Sequence, residues 1–92
     1  MNIGRVIKGL RIESGLTQIE LAGKIGMAQT SLSQIESGHK KPHERNLKLI
    51  CKSFGISLAG IYILSIEESD IHDKNKKELY LLIKPTLAKI FG

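Results

Sequence analysis

Two helical segments joined by a very short turn constrain this chain more than any other feature of its sequence. Thr17 and Glu20 have the spacing of a capping box, in which each side chain binds a free backbone N–H at a helix start. The helix that follows runs to about Lys24, and Gly26 comes directly after it. Glycine tolerates the positive φ of a left-handed cap or a sharp turn. A second helix, predicted over residues 28–37, begins almost at once.

The two faces of this second helix differ in their chemistry. Leu32 and Ile35 are predicted to face the core. The opposite face is polar and uncharged, and it consists of Gln29, Thr30, Ser31, Ser33 and Gln34. Glutamine can bind adenine through two hydrogen bonds, and serine or threonine can bond a base edge, whereas a solvated face more often carries Glu and Lys. The pattern predicts a helix-turn-helix whose second helix lies in the major groove, with these five residues contacting bases.

Three residues beside this helix suit the DNA backbone. Gln18 begins the preceding helix, where the positive end of the helix dipole favours a phosphate. Lys40 and Lys41 lie in the basic loop that follows, over residues 38–42. Phosphate contacts of this kind position a protein and supply salt-dependent affinity. Taken alone, the two lysines are equally typical of a solvated loop.

The segments around the helix pair are also predicted to be helical. Apolar residues at helical spacing predict a first helix over about residues 2–13 and a fourth over about residues 43–54. Ser57 can cap a fifth helix. Residues 61–64 within it are, however, also of types common in strands.

The last third of the chain is predicted to hold a linker and one further helix. Residues 67–77 are charged with few apolar residues, and an apolar helical pattern follows at Leu79, Leu82, Ile83, Leu87, Ile90 and Phe91. Pro85 should kink or divide this helix near Lys84, because proline lacks a backbone N–H. The predicted division is therefore a DNA-binding domain over residues 1–65 and a linker with a C-terminal helix over residues 66–92.

The excess positive charge is confined to the first of these segments. Residues 1–65 contain nine Lys and Arg against four Asp and Glu, whereas residues 66–92 contain five of each, and the whole chain has a formal charge of +5. A polyanion such as DNA would dock on the first segment. A charge of this size can equally serve solubility.

Other classes of protein fit the sequence poorly. The single Cys51 excludes a disulfide within one chain, and His39, His43 and His72 lack the spacing of zinc ligands. The longest nearly uncharged stretch, residues 56–66, is too short for a bilayer span of about 20 residues. A small helical domain offers no nucleophile elbow, phosphate-cradling loop or paired buried carboxylates. We therefore expect a soluble cytoplasmic protein without metal, cofactor or enzymatic activity.

Several short motifs occur in a fixed order along the chain. They are Gly15-Leu-Thr-Gln-Ile-Glu-Leu-Ala22, Ile25-Gly26, Ser33-Gln-Ile-Glu-Ser-Gly38, Lys41-Pro42 and Phe54-Gly-Ile-Ser-Leu58. Together they resemble the Cro and phage-repressor (Xre-like) family of helix-turn-helix regulators, without gaps over about residues 2–64. The resemblance implies an all-α, five-helix lambda-repressor-like domain, here followed by a C-terminal helix, that binds double-stranded operator DNA as a homodimer.

The resemblance also implies roles for individual residues. Gln29, Thr30 and Gln34 match base-contacting positions of the family, with Ser31 and Ser33 as neighbours. Gln18 and Lys41 match phosphate-contacting positions, and Arg11 and Glu36 match a partly buried ion pair between the first and third helices. Two residues depart from the family pattern. Ala28 stands where a hydroxyl usually caps the third helix, and Glu44 stands where an apolar residue is common.

The C-terminal helix leaves two functional readings open. A free amphipathic helix is unstable in water, so this one must pack on its own domain, on a second copy or on a foreign protein through residues 78–91. The main hypothesis is a dimeric transcriptional regulator, a repressor or an activator, that reads a two-fold symmetric operator. The alternative is an antitoxin or regulator subunit that acts mainly through protein–protein interaction.

Overall fold

The computed structural model describes residues 1–91, and the regular elements in this range are all helical. Gly92 and the side chain of Phe91, both within the predicted tail, lie outside the described residues. The helices are α1 (Ile3–Glu13), α2 (Gln18–Ile25), α3 (Gln29–Glu36), α4 (Glu44–Phe54), α5 (Leu58–Ser65) and α6 (Lys74–Phe91). The predicted all-α class, with five helices followed by a C-terminal helix, is confirmed, and residues 61–64 are helical.

The turn between α2 and α3 is built by local hydrogen bonds. The backbone N–H of Glu20 donates to Thr17 Oγ1 at 3.1 Å, and the backbone N–H of Thr17 donates to Glu20 Oε1 at 3.0 Å. Hydrogen bonding to Thr17 lowers the pKa of Glu20, and the bond from the Thr17 backbone has the larger effect. At the other end of α2, Gly26 has a φ of 72° and its N–H bonds the carbonyls of Ala22 and Gly23. The chain then turns directly into α3.

The start of α3 is less well capped than that of α2. Ala28 occupies the N-cap position of α3, and no side chain accepts a hydrogen bond there. Its backbone is extended, with φ −71° and ψ 140°, as an N-cap requires. His43 holds the same position before α4, also without a side-chain cap, and Glu44 is the first residue of that helix. Helices α3 and α4 therefore form even though Ala28 and Glu44 depart from the family pattern.

The core is formed by residues of the five helices α1 to α5 and is almost wholly aliphatic. Its buried residues are Ile7, Leu21, Ala22, Ile25, Leu32, Ile35, Leu47, Ile50, Cys51 and Ile61. Cys51 is only 4% exposed, and burial raises the pKa of its thiol. A buried thiol of raised pKa is a core residue and a poor nucleophile.

Helix α1 crosses α3 at very short range. A Cβ atom added to Gly4 would lie 2.0 Å from the carbonyl oxygen of Ile35, a backbone atom of α3. Only glycine fits at this crossing. The contact places the buried side of α3 directly against α1 and so leaves the other side of α3 facing outwards.

Helix α6 packs on α5 and on the segment that joins α5 to α6. Tyr80 is 9% exposed, and its hydroxyl donates to the carbonyl of Ile66 at 2.8 Å. The predicted linker is partly ordered, because a 3-10 helix occupies Glu68–Asp70 and residues 74–77 form the first turn of α6. The amino group of Met1 lies 2.6 Å from Asp70 Oδ1, and this bond lowers the pKa of Asp70.

Of the kink or division that the sequence predicts near Lys84, the division does not occur, since α6 is one continuous helix that contains Pro85. Proline removes one backbone hydrogen bond, the one that would reach the carbonyl of Leu81. The helix nevertheless continues through Pro85 and packs on α5.

Within residues 1–91, no single helix is long and apolar enough to cross a membrane. Helices α4 and α5 reach that length and hydropathy only when taken together, across a bend of 96°. The same range contains no group of three or more His, Cys, Asp or Glu side chains arranged to hold a metal ion.

Candidate nucleic-acid interface

The outward face of α3 carries most of the residues predicted to contact bases. Gln29, Thr30 and Gln34 are exposed, and Ser33, which shares their side of the helix at 100° per residue, is half-buried. Ser31 is also half-buried, because the helical spacing turns it towards the buried side formed by Leu32, Ile35 and Glu36. The structure thus brings four of the five residues onto one face and places Ser31 at its border.

A buried ion pair holds this helix against α1. Arg11 Nε donates to Glu36 Oε2 at 2.8 Å, and Arg11 Nη2 donates to Glu36 Oε1 at 3.0 Å. The two side chains are 11% and 2% exposed. The hydrogen bond to Glu36 raises the pKa of Arg11 against the opposing effect of burial. A third bond, from Arg11 Nη1 to the carbonyl of Leu16 at 2.8 Å, ties the pair to the loop before α2.

The ion pair continues into a chain of hydrogen bonds that reaches the surface. Gln18 Nε2 donates to Glu36 Oε1 at 3.1 Å, and Gln29 Nε2 donates to Gln18 Oε1 at 2.8 Å. Because an ionised carboxylate only accepts hydrogen bonds, Glu36 sets the orientation of the Gln18 amide. Gln18 in turn sets the orientation of the Gln29 amide. Gln29 keeps one N–H and its carbonyl oxygen free, the pair of groups that adenine binds in the major groove.

The basic loop lies at the end of the same helix. The carbonyl of Gln34 accepts hydrogen bonds from the backbone N–H groups of His39 and Lys40, at 2.9 and 3.2 Å, so that the chain folds back there. Gly38 has a φ of 83°, which this reversal requires. Lys40 and Lys41 are exposed beyond the last turn of α3. Gln18 instead lies half-buried at the start of α2, with its amide engaged as described.

Two polar residues that the sequence reasoning missed extend the outward face of α3. Ser37 Oγ donates to the carbonyl of Gln34 at 3.1 Å and lies 2.7 Å from His39 Nδ1. Both residues are exposed. Ser37 follows Ser33 by four residues and Gln34 by three, so the helical period that identified the face should have included it. His39 falls outside the helix, and only the fold back at Gly38 brings it to this side.

A helix with an uncharged amide and hydroxyl face, braced by the helix before it and followed by a basic loop, defines a helix-turn-helix protein. The family described as Helix-turn-helix matches residues 7–61, and the chain belongs to it. Its relatives include phage repressors, which confirms the resemblance to the Cro and phage-repressor (Xre-like) family. This is a family of DNA-binding transcriptional regulators.

Three relatives illustrate the range of the family. The immunity repressor protein of Bacillus phage phi105 is 28% identical over 83 residues, which cover 86% of this chain and 58% of that protein. Antitoxin PezA of Streptococcus pneumoniae serotype 4 is 37% identical over 59 residues, covering 64% of this chain and 37% of the antitoxin. The cryptic phage CTXphi transcriptional repressor RstR of Vibrio cholerae is 28% identical over 76 residues, covering 83% of this chain and 67% of the repressor.

The chain spans only part of the length of the first two of these relatives. This chain spans 58% of the phage immunity repressor and 37% of the antitoxin, less than two thirds of either. No solved structure matches the chain with significant similarity.

Proposed function

We propose that this protein is a sequence-specific regulator of transcription that places α3 in the major groove of an operator. The observation that carries the proposal is the outward face of α3, which is exposed, uncharged and rich in amide and hydroxyl groups. Such a face can approach stacked bases closely and pair with their edges. It is the arrangement on which a DNA reader depends and that a merely solvated helix does not need.

The base-reading roles follow from exposure. Gln29 and Gln34 are exposed a turn and a half apart on α3, with Thr30 exposed beside them. We assign base contacts to these three residues and to Ser33, with Ser31 at the edge of the contact. Gln29 is the best-defined reader, because its hydrogen bond to Gln18 fixes its amide and leaves one donor and one acceptor for a base.

The proposed contacts to the DNA backbone follow from the positions of three residues beside α3. Lys40 and Lys41 lie just past the end of α3, where a duplex lying along that helix presents a phosphate strand. Gln18 lies at the start of α2 and is held beside Gln29, so its remaining N–H can bond a phosphate on the other side of the groove. These contacts set the register of α3 on the DNA without reading its sequence.

The form of regulation is inferred from the relatives. One is named an immunity repressor and another a transcriptional repressor, which favours repression of a promoter that overlaps the operator. We propose that the protein acts as a homodimer on a two-fold symmetric operator. Two copies of α3 related by a dyad would then contact half-sites spaced by about 34 Å, one turn of DNA.

Substitution of the two glutamines tests this assignment. A preferred duplex is first selected from a random pool, and its affinity is compared with that of a scrambled duplex at fixed salt concentration. We expect Gln29→Ala and Gln34→Ala each to reduce the ratio of the affinity for the preferred duplex to that for the scrambled one by about tenfold or more. A bidentate contact to a base contributes about 1–3 kcal/mol to discrimination. Affinity for the scrambled duplex should change little, because amides carry no charge.

The matched control for this experiment is Asn75→Ala. Asn75 is an exposed amide near the start of α6, outside the proposed interface, and its removal should leave the ratio unchanged. If both glutamine variants kept the sequence preference of the original protein, α3 would not be the reading helix.

A second candidate function is that of a regulator subunit, such as an antitoxin, that binds another protein through α6. Several large apolar residues of α6 are exposed, and one relative is named an antitoxin. In this case the protein would be recovered as a complex of defined stoichiometry with a toxin encoded nearby, and α6 would be covered by that toxin.

A further inference from the structure

Helix α6 presents apolar residues that its own domain covers only in part, and one of them, Ile90, borders a groove lined by Leu10 and Phe54. Tyr80 points into the domain, and a different side of the helix carries Leu79, Ile83, Thr86 and Ile90, which we call the outer stripe. The apolar members of the outer stripe are 56%, 43% and 66% exposed in chain order, and Leu82 at its edge is 77% exposed. Several large apolar residues exposed along one side of a helix are typical of an interaction site.

The spacing of the outer stripe is symmetric. Its residues follow one another at intervals of four, three and four, the alternation by which helices pair along a coiled coil. Because these intervals read the same in both directions, the stripe is complementary to itself about a point between Lys84 and Pro85. A two-fold axis at that point sets Leu79 against Ile90 of a second copy and Ile83 against its Thr86.

The charges of α6 select the direction of such a pair. The helix carries five lysines and one glutamate, and Lys76 precedes Leu79 by three residues on the line of the stripe, so a parallel pair would place Lys76 opposite Lys76. In an antiparallel pair, Lys76 lies beyond the overlap of the two stripes, and the aliphatic part of Lys89 passes Leu82 of the second copy. Lys84 is turned towards its own domain, with Nζ 6.0 Å from the ring centre of Tyr80.

We propose that α6 of this protein pairs with α6 of a second copy, antiparallel and about a two-fold axis, to form a homodimer. This deepens the proposed function, because it supplies the symmetric assembly that a two-fold operator requires. Since the interface lies on α6 and the DNA-reading face on α3, the dimer can be tested without DNA.

The test is the molar mass of the full chain in solution, measured by light scattering over micromolar concentrations. The unchanged chain should have twice the monomer mass at the upper end of this range. Ile83→Glu places a carboxylate beside the two-fold axis and should reduce the mass to that of one chain. Leu81→Glu is the matched control, because Leu81 is 46% exposed on another side of α6, and this variant should remain a dimer.

A compensating variant tests the antiparallel register. In the proposed pair, Ile83 of one copy faces Thr86 of the other, so Thr86→Lys added to Ile83→Glu forms two ion pairs across the axis and should restore the dimer. Circular dichroism shows whether each variant is folded. A monomeric unchanged chain, a dimer that survives Ile83→Glu, or a double variant that stays monomeric would overturn the proposal.

DNA binding distinguishes failure of this inference from failure of the proposed function. A monomeric Ile83→Glu chain should still prefer the selected half-site over a scrambled one, with affinity for the complete operator reduced at least tenfold. If the unchanged chain dimerises as described but shows no preference for any duplex, the pairing of α6 stands and the proposed function fails.

Discussion

Glu36 is the residue on which the proposed interface depends most. Its buried carboxylate accepts two hydrogen bonds from Arg11 and one from Gln18, so the cost of burying its charge is offset by three donors. The same group that holds α1 and α3 together also orients the amides of Gln18 and Gln29. The fold and the proposed base contacts are therefore coupled through one side chain.

The energetic role of this ion pair can be measured by removing its cation. Arg11→Ala leaves Glu36 buried and charged with only Gln18 as a side-chain partner, and we expect the free energy of unfolding to fall by about 3 kcal/mol. Urea denaturation followed by circular dichroism measures the change.

Arg5 provides the comparison for this substitution. It is an exposed arginine of the same helix, and Arg5→Ala should change the free energy of unfolding by about 0.5 kcal/mol or less. Equal effects of the two substitutions would show that the pair between Arg11 and Glu36 contributes nothing beyond an ordinary surface charge.

Among the elements, α1 positions α3, the helix proposed to read DNA. The backbone of Gly4 meets the carbonyl of Ile35, and no side-chain atom fits between them. Helix α2 supports α3 from the other side through the turn at Gly26 and the capping box at its start. The orientation of the outward face of α3 thus follows from one helix crossing and one turn.

A methyl group at the helix crossing should separate α1 from α3. Gly4→Ala is expected to destabilise the protein by about 1–3 kcal/mol, because the new Cβ meets the backbone of α3 and the two helices must move apart. Operator affinity should fall together with stability, since α3 is displaced. Thermal unfolding and the duplex-binding assay measure the two effects.

Gly9 lies in the same helix, and its substitution is expected to have the opposite effect on stability. A Cβ at Gly9 meets nothing within 4 Å, so Gly9→Ala should stabilise the protein by about 1 kcal/mol through helix propensity alone. Destabilisation by both substitutions would mean that α1 tolerates no change for reasons other than the crossing.

At the scale of the whole molecule, charge and apolar surface occupy different parts of the protein. Residues 1–65 carry all of the net charge of +5, and residues 66–92 are neutral overall. The neutral segment includes α6, whose outer stripe is exposed. Attraction to DNA and attraction to a second copy can therefore act at separate surfaces of one small protein.

The salt dependence of DNA binding tests the proposed contacts between the lysines of the basic loop and DNA phosphates. Lys40→Ala and Lys41→Ala should each weaken binding to every duplex by a similar factor and reduce the slope of log affinity against log salt by about 1. Titrations of selected and scrambled duplexes at several salt concentrations measure this slope. Lys74→Ala, on the exposed start of α6, should leave the slope unchanged, and a similar loss there would indicate non-specific attraction over the whole surface.

Much of this protein is determined by local sequence. The capping box of Thr17 and Glu20, the turn at Gly26 and the two faces of α3 were predictable, because helix caps and helical periods depend on residues only a few positions apart. The pair of Arg11 and Glu36 is more distant in sequence, and only the family resemblance pointed to it.

The tertiary structure decided the remainder, because it depends on contacts between distant segments. The close approach of Gly4 to α3 and the hydrogen bonds that join Gln18 to Glu36 and Gln29 are contacts of this kind. Pro85 does not divide α6, which continues through it and packs on α5. The local sequence specifies helices and their polar faces, whereas only the packed chain decides which atoms those faces meet.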